Sequence, residues 1–288
     1  MGVTIVTDST ADLPVEEAKR WGVRVVPLYV NFQKADKGLE TLRDGVDIGP
    51  DEFYKRLVGS NPLPTTSQPA VQDFLSVYQE EAKKGNQVVS VHISSKLSGT
   101  VNSATQAKEQ MGSAGKVVIV DSLLASMGLG IAALAGARLA KGGAGQQEVA
   151  EEARRAAAET KVFFMVDTLE YLQKGGRIGR AQAFLGSLLN VKPILTLGEG
   201  EIHPMERVRS RGKALERLAG LAEGIGSAKE VWVCHSTTPQ DAEALALRLG
   251  KLVQGGGDRG RVMVTRLGPV VGAHVGPGLV GGGVRRGG

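Results

Sequence analysis

Residues 3–10 read Val3-Thr4-Ile5-Val6-Thr7-Asp8-Ser9-Thr10. β-Branched residues dominate the first five positions, a composition that suits a pleated surface, and the polar triplet Asp8-Ser9-Thr10 ends the run. Pro14 follows where the first turn of a helix tolerates a missing N–H. The same unit then recurs. Residues 23–30 form a second β-branched run. Residues 87–92 form a third, leading into Ser94-Ser95-Lys96-Leu97-Ser98-Gly99-Thr100 at the start of a helix, and residues 116–120 a fourth that ends in Asp121-Ser122. Helices are predicted near residues 51–57, 70–84, 126–140 and 146–160. Repeated strand–helix units with short links build a parallel sheet covered on both faces. Residues 60–69 are too rich in Pro and hydroxyls for either element and read as a loop.

The second part reads differently. A strand is predicted over 161–166, a helical segment over 169–174, and an apolar helix near 182–189. Residues 191–197 and 201–208 flank Gly198-Glu199-Gly200 and read as a hairpin. Helices over 213–224 and 239–252 alternate with strands over 230–235 and 261–267. The tail, 268–288, has nine Gly in 21 residues, so close turns and a loose end are expected. The fold class is α/β: a Rossmann-like parallel-sheet first domain over residues 1–160, followed by an α+β second domain over 161–288.

Composition narrows the function. The chain has 288 residues and a net charge of +5, with 42% hydrophobic and 23% charged residues, a globular balance. Residues 1–160 carry 17 basic and 19 acidic groups (net −2) and residues 161–288 carry 18 and 11 (net +7). Only 4% of residues are aromatic, no basic run interleaves with aromatics, and no zinc-finger spacing occurs, so nucleic-acid binding is not expected. No basic region precedes the first strand as in a signal peptide, and no apolar run approaches the ~20 residues that span a bilayer. The lone Cys234 rules out internal disulfides and fits a reducing cytoplasm.

Four polar clusters follow strands of the first domain or lie in its long loop: Asp8-Ser9-Thr10, Thr65-Thr66-Ser67-Gln68, the segment from Ser94 to Thr100, and Asp121-Ser122. Carboxyl ends of parallel strands share one rim, where ligands bind. Hydroxyls beside free helix N–H groups hold anions there. Each hydroxyl alone has a plainer reading, as a helix cap. No phosphate loop is present. Gly128-Leu129-Gly130-Ile131-Ala132-Ala133 matches a dinucleotide fingerprint only on paper: it lies too far beyond its strand and reads as close helix packing. The nucleophile elbow is missing, the histidines are scattered, and no metal-ligand spacing appears. Cys234 reads as a small buried hydrophobe. A serine hydrolase or acyltransferase using Ser95 or Ser98 with His274 and Asp8 or Asp121 stays open as the alternative.

Two further stretches carry polar residues in Gly-rich turns, Leu172-Gln173-Lys174-Gly175-Gly176-Arg177-Ile178 and Gly272-Ala273-His274-Val275-Gly276-Pro277-Gly278. With Val6-Thr7-Asp8-Ser9, Asp44-Gly45, Pro64-Thr65-Thr66-Ser67-Gln68-Pro69, the Ser94 segment, Asp121-Ser122 and Leu188-Leu189-Asn190-Val191-Lys192-Pro193-Ile194-Leu195, they give the chain a resemblance over nearly its whole length. It resembles the DegV family of bacterial fatty-acid-binding proteins, the lipid-binding subunits of fatty acid kinase systems. The resemblance implies a long-chain fatty acid such as palmitate or oleate between two domains. It implies that Thr66 and Ser95 or Ser98 hold the carboxylate, with Arg177 and His274 completing the polar network. Expected acyl-chain walls are Phe163, Leu169, Leu172, Phe184, Leu185, Leu188 and Ile194. The implied protein is a cytoplasmic carrier, not an enzyme, with no cofactor and no metal. Its partner is a dihydroxyacetone-kinase-type fatty acid kinase that makes the acyl phosphate. The +7 half would serve docking on that kinase or transient contact with an anionic membrane surface.

Overall fold

The structure is a computed structural model that describes residues 2–34, 38–112, 116–186, 191–253 and 262–287. The opening stretch is β1 (Val3–Asp8). With β2 (Arg24–Val26), β6 (Gln87–His92) and β7 (Val117–Asp121) it forms a four-stranded parallel sheet in the order β2-β1-β6-β7. Helices α1 (Val15–Trp21), α3 (Val71–Lys83), α4 (Thr100–Met111), α5 (Met127–Lys141) and α6 (Gln146–Glu159) provide the crossovers and covers.

The run 23–30 is not one strand. Pro27 follows β2; lacking an N–H, it cannot continue a ladder, and the chain turns away into β3 (Tyr29–Gln33). β3 is the centre of a separate antiparallel sheet, β4-β3-β5, with β4 (Leu39–Arg43) and β5 (Thr65–Ser67). β5 lies inside the Pro-rich stretch expected to be a loop: Thr66 pairs with Val30, and Pro64 and Pro69 bound the three-residue strand. So short a strand shows no periodicity in sequence, and only its pairing reveals it. Helix α2 (Pro50–Val58) packs with this sheet around Phe53.

The third sheet has six strands in the order β10-β9-β8-β13-β11-β12 and is built from residues 160–286: β8 (Thr160–Met165), β9 (Lys192–Gly198), β10 (Glu201–Val208), β11 (Ala228–His235), β12 (Met263–Arg266) and β13 (Val280–Arg286). The hairpin β9–β10 forms with Glu201 opposite Gly198. Helices α7 (Glu170–Lys174), α8 (Arg211–Glu223), α9 (Pro239–Leu249) and α10 (Pro269–Val275) complete this part. The predicted helix over 182–189 is instead a short 3₁₀ turn, Gly179–Phe184; residues 187–190 lie outside the described residues.

The Gly-rich tail holds the largest departure from expectation. It contains α10 and then β13, a central strand pairing with β8 on one side and β11 on the other. Its glycines are there for space: a Cβ at Gly281 would lie 2.6 Å from Phe164 Cβ, and one at Gly283 2.9 Å from Met127 Cγ. Strand and helix thus meet without intervening side chains. Over residues 127–137 helix α5 is apolar all round, as a segment buried on every side must be: the helix packs against β1 of the parallel sheet and against β8, β11 and β13 of the six-stranded one. Gly130 touches Trp232 and the Ala11 carbonyl, the close packing read for that glycine pair.

Candidate functional site

A cavity of about 310 Å³ lies among the three sheets, within the ~300–1,000 Å³ usual for small-ligand sites. Alternation along β8 turns Val162 and Phe164 into it; Leu197 of β9, Ile202 of β10 and Leu172 of α7 add further apolar wall. Helix α10 runs along one side through Val270, Val271, His274 and Val275. Polar side chains gather around Thr66, Gln68, Ser98, Arg177 and His274.

Thr66 sits opposite Val30, so both point toward α10, and there Thr66 Oγ1 lies 2.8 Å from His274 Nε2. Burial, then the Arg177 charge, pushes the imidazole pKa down to about 4, so the ring is neutral at ordinary pH. Its Nδ1 is buried with no partner among the described residues. Placing the hydrogen on Nε2 leaves no imidazole donor orphaned, the smaller penalty. His274 then donates to Thr66 Oγ1, and the Thr66 O–H is left free to donate to a ligand. Gly175 permits this arrangement: a Cβ there would stand 2.3 Å from His274 Nδ1.

Ser98 lines the cavity while its Oγ bonds Thr100 Oγ1 at 2.8 Å and accepts from the Thr100 N–H at 3.3 Å. Ser98 precedes the N-cap of α4, which is Gly99, so its hydroxyl braces the loop beside the cavity and is not the helix cap. Arg177 is exposed and bridges two loops, its Nε donating to the Leu97 carbonyl at 3.1 Å and its Nη1 to the Gly175 carbonyl at 2.9 Å. Thr66, Ser98, Arg177, His274 and Leu172 are thus brought to one cavity.

Other expected residues are placed elsewhere. Ser95 is exposed, outside the lining, its N–H directed at the Asp121 carboxylate at 3.3 Å. Phe163 and Ile194 face the opposite side of the sheet, in a core with Leu218 of α8 and Leu245 of α9. Phe164 and Leu197 hold the cavity side in their stead. Both faces of this sheet are covered, so both alternating sets are apolar, and sequence does not tell which set meets the cavity. Leu169 is fully buried in the adjoining core without lining the cavity. Phe184 and Leu185 are partly buried outside the lining, the Phe184 ring 5.0 Å beneath the Arg207 guanidinium. Leu188 lies outside the described residues.

Thr10 and Gln68 of the polar clusters also line the cavity, and Ser126 and Cys234 line it without any ligand role having been expected of them. The Asp8-Ser9-Thr10 cluster belongs to a buried relay. Asp8 accepts from the Thr10 N–H at 3.1 Å, the Thr10 hydroxyl, the Ile93 N–H at 3.1 Å and His92 Nδ1 at 2.9 Å. His92 Nε2 meets Ser90 Oγ at 2.7 Å, and Ser90 meets the Tyr78 hydroxyl at 2.8 Å. The order Ser–His–Asp is that of a hydrolase triad, but Ser90 is fully buried under α3 and off the cavity lining, so the relay pins β1 to β6. Neither Ser95 nor Ser98 touches His274, whose Nε2 is taken by Thr66. Among the described residues no cluster of His, Cys, Asp and Glu is placed to hold a metal ion, and no helix is long and apolar enough to cross a membrane.

Residues 2–286 match the family model described as uncharacterised protein, DegV family. A DegV domain-containing protein of Streptomyces coelicolor is 41% identical over 282 residues, 97% of this chain and 96% of that one. Protein DegV of Bacillus subtilis is 34% identical over 285 residues, covering 98% of each. Among solved structures, a fatty-acid-binding DegV family protein from Thermus thermophilus aligns with a TM-score of 0.88 at 39% identity, over 99% of this chain and 100% of that one. A stearic-acid-binding protein from Eubacterium ventriosum aligns with a TM-score of 0.84 at 27% identity, over 98% and 97%. The motifs, the three-sheet architecture and these likenesses lead to one conclusion: the chain belongs to the DegV family.

Proposed function

We propose that the protein is a carrier that buries one long-chain fatty acid, such as palmitate or oleate, in this cavity. It presents the carboxylate to a cytoplasmic partner, a fatty acid kinase of the dihydroxyacetone-kinase type, and does no chemistry itself. The carrying observation is an apolar cavity whose polar groups converge on Thr66 and His274. In this reading Thr66, Ser98 and His274 hold the carboxylate and Arg177 stands at the mouth. The division at residue 160, with the first part supplying the hydroxyl rim and the second covering the acyl chain, belongs to the same proposal. So does docking of the basic second part on the kinase or briefly on an anionic membrane surface.

The energetics favour this assignment. A buried carboxylate without donors costs several kcal/mol, and neutral hydroxyls remove that penalty with no added charge. Burying the chain contributes roughly 0.8 kcal/mol per CH₂, so sixteen carbons yield about 10 kcal/mol before the costs of binding. The fatty acids named for the Thermus and Eubacterium relatives support the same ligand class. Extraction of the purified protein followed by mass spectrometry is expected to release a fatty acid, and added palmitate or oleate to raise the melting temperature. Absence of both a bound lipid and a shift would overturn the reading.

A further inference from the structure

One segment forms a wall shared by the polar end of the cavity and a groove outside it. Ser67 and Gln68 line the cavity and also line an outer groove of about 500 Å³. That groove is walled by Tyr29 and Asn31 of β3, Thr41 of β4, and Ser103 and Gln106 of α4; none of its lining side chains is an acid, Lys or Arg. Its hydroxyls are pre-set. Thr41 donates to Asn31 Oδ1 at 2.8 Å and Asn31 Nδ2 donates to Ser67 Oγ at 3.0 Å, while Gln68 Nε2 donates to Ser103 Oγ at 2.8 Å. Both serine oxygens therefore receive an N–H, which leaves each serine hydrogen to donate elsewhere. Gln68 stands against Gly99, where a Cβ would be only 1.9 Å from Gln68 Oε1. Any side chain at residue 99 would displace this wall.

The geometry points to the outer groove as the site of the phosphoryl group of an acyl phosphate, with Gln68 as the movable partition between carboxyl and phosphoryl positions. This rests on the carrier reading above. When the kinase acts, a carboxylate oxygen bonds the γ-phosphorus of a nucleoside triphosphate as the bond from that phosphorus to the leaving nucleoside diphosphate breaks. The product is longer than the fatty acid by one phosphoryl group at the carboxyl end. The acyl chain fills the apolar side, so the added group needs room at the polar end, and the groove behind the Ser67–Gln68 wall adjoins that end. Beyond it, neutral amides and hydroxyls receive the anion as hydrogen-bond donors.

The test compares palmitate with a β-ketophosphonate carrying the palmitoyl chain, a stable acyl phosphate mimic, by calorimetry. Two variants place a negative charge in the groove and away from the cavity lining: the isosteric Asn31→Asp, and Gln106→Glu on the exposed face of α4. Each is expected to weaken the phosphonate about tenfold while palmitate changes less than about twofold, since like charges repel across the groove. Equal changes for both ligands, or none for the phosphonate, overturn the phosphoryl site and leave the carrier reading standing. Failure of the unsubstituted protein to bind palmitate overturns the carrier reading itself.

Discussion

On the carrier reading, the ligand head rests on Thr66. Its hydroxyl receives a hydrogen bond from His274 and is left with one proton to give, and Ser98 offers a second hydroxyl from the start of α4. Thr66→Ala and Ser98→Ala are each expected to weaken palmitate by ~1–3 kcal/mol, the cost of an unsatisfied buried partner. Displacement of a fluorescent fatty acid measures this, and unchanged affinity in both variants would move the head elsewhere. At this scale Thr10 and Ser98 were legible beside the cavity, because strand ends in a parallel sheet share one edge, whereas Thr66 reaches it from β5 of the antiparallel sheet. The choice between Ser95 and Ser98 was not. The two lie three residues apart in one loop, and the backbone turn alone decides which faces inward.

Elements carry the larger surprises. A strand of Val280, three glycines and Val284 has little β-propensity, yet it lies at the centre of the six-stranded sheet because Phe163, Phe164 and Met127 occupy the space its side chains would need. Gly281→Ala would set a Cβ 2.6 Å from Phe164 Cβ and 2.9 Å from the Phe163 carbonyl, which cannot swing aside. A loss of about 1–3 kcal/mol in urea unfolding is expected, the range for overpacked cores.

Helix α10 supplies a pH dependence. Asp12 accepts from the Gly268 N–H at 2.7 Å and from Ser126 Oγ at 2.5 Å, at the start of α10. Burial pushes the Asp12 carboxyl up to about 8, and burial raises Asp44, which accepts from Ser9 and the Val270 N–H, to about 7. An unfolded aspartate ionises near 3.8, so from there upward the folded chain holds protons that the unfolded chain has lost. This contribution is complete below about pH 4 and is lost as pH rises through about 7 to 8. His274 acts on the acid side: its folded value near 4 lies below the usual 6.5, so its contribution is lost as pH falls through that interval. Urea midpoints are expected to decline from about pH 4 to about pH 8, more steeply once the opposing His274 contribution is complete near pH 6.5, and the isosteric Asp12→Asn to flatten much of that decline. An unaltered slope in the variant would assign it to other groups.

Across the whole molecule, α5 decides how the parts cooperate. It is covered by the parallel sheet on one side and by β8, β11 and β13 on the other, and ion pairs reinforce the contact: Arg138 with Glu230 at 2.7 Å, and Arg285 with Glu152 at 2.8 Å and Glu159 at 2.9 Å. Residues 1–160 expressed alone would expose the apolar face of α5. They are expected to bind a hydrophobic dye strongly and to associate, whereas the full chain should unfold in one transition. A well-folded, monomeric fragment would show that the first part closes its core by itself. Part of the +7 of the second part is met by acids of the first, since Arg285 pairs with Glu152 and Glu159, Lys229 with Glu159, and Arg266 with Asp51.

The sequence by itself determined the parallel βα units, the hairpin at Gly198-Glu199-Gly200 and the family, because these rest on local propensity, short-range periodicity and ordered motifs. Residues 87–92 illustrate this: three valines in a short run between Gly85-Asn86 and the Ser94-Ser95 pair read as a strand, and they form β6. Tertiary structure alone decided that residues 65–67 pair with β3, that the Gly-rich tail becomes a central strand, and that Phe164 rather than Phe163 faces the cavity. Each depends on which surface arrives from a distant part of the chain, and burial against that surface outweighs any preference the local residues hold.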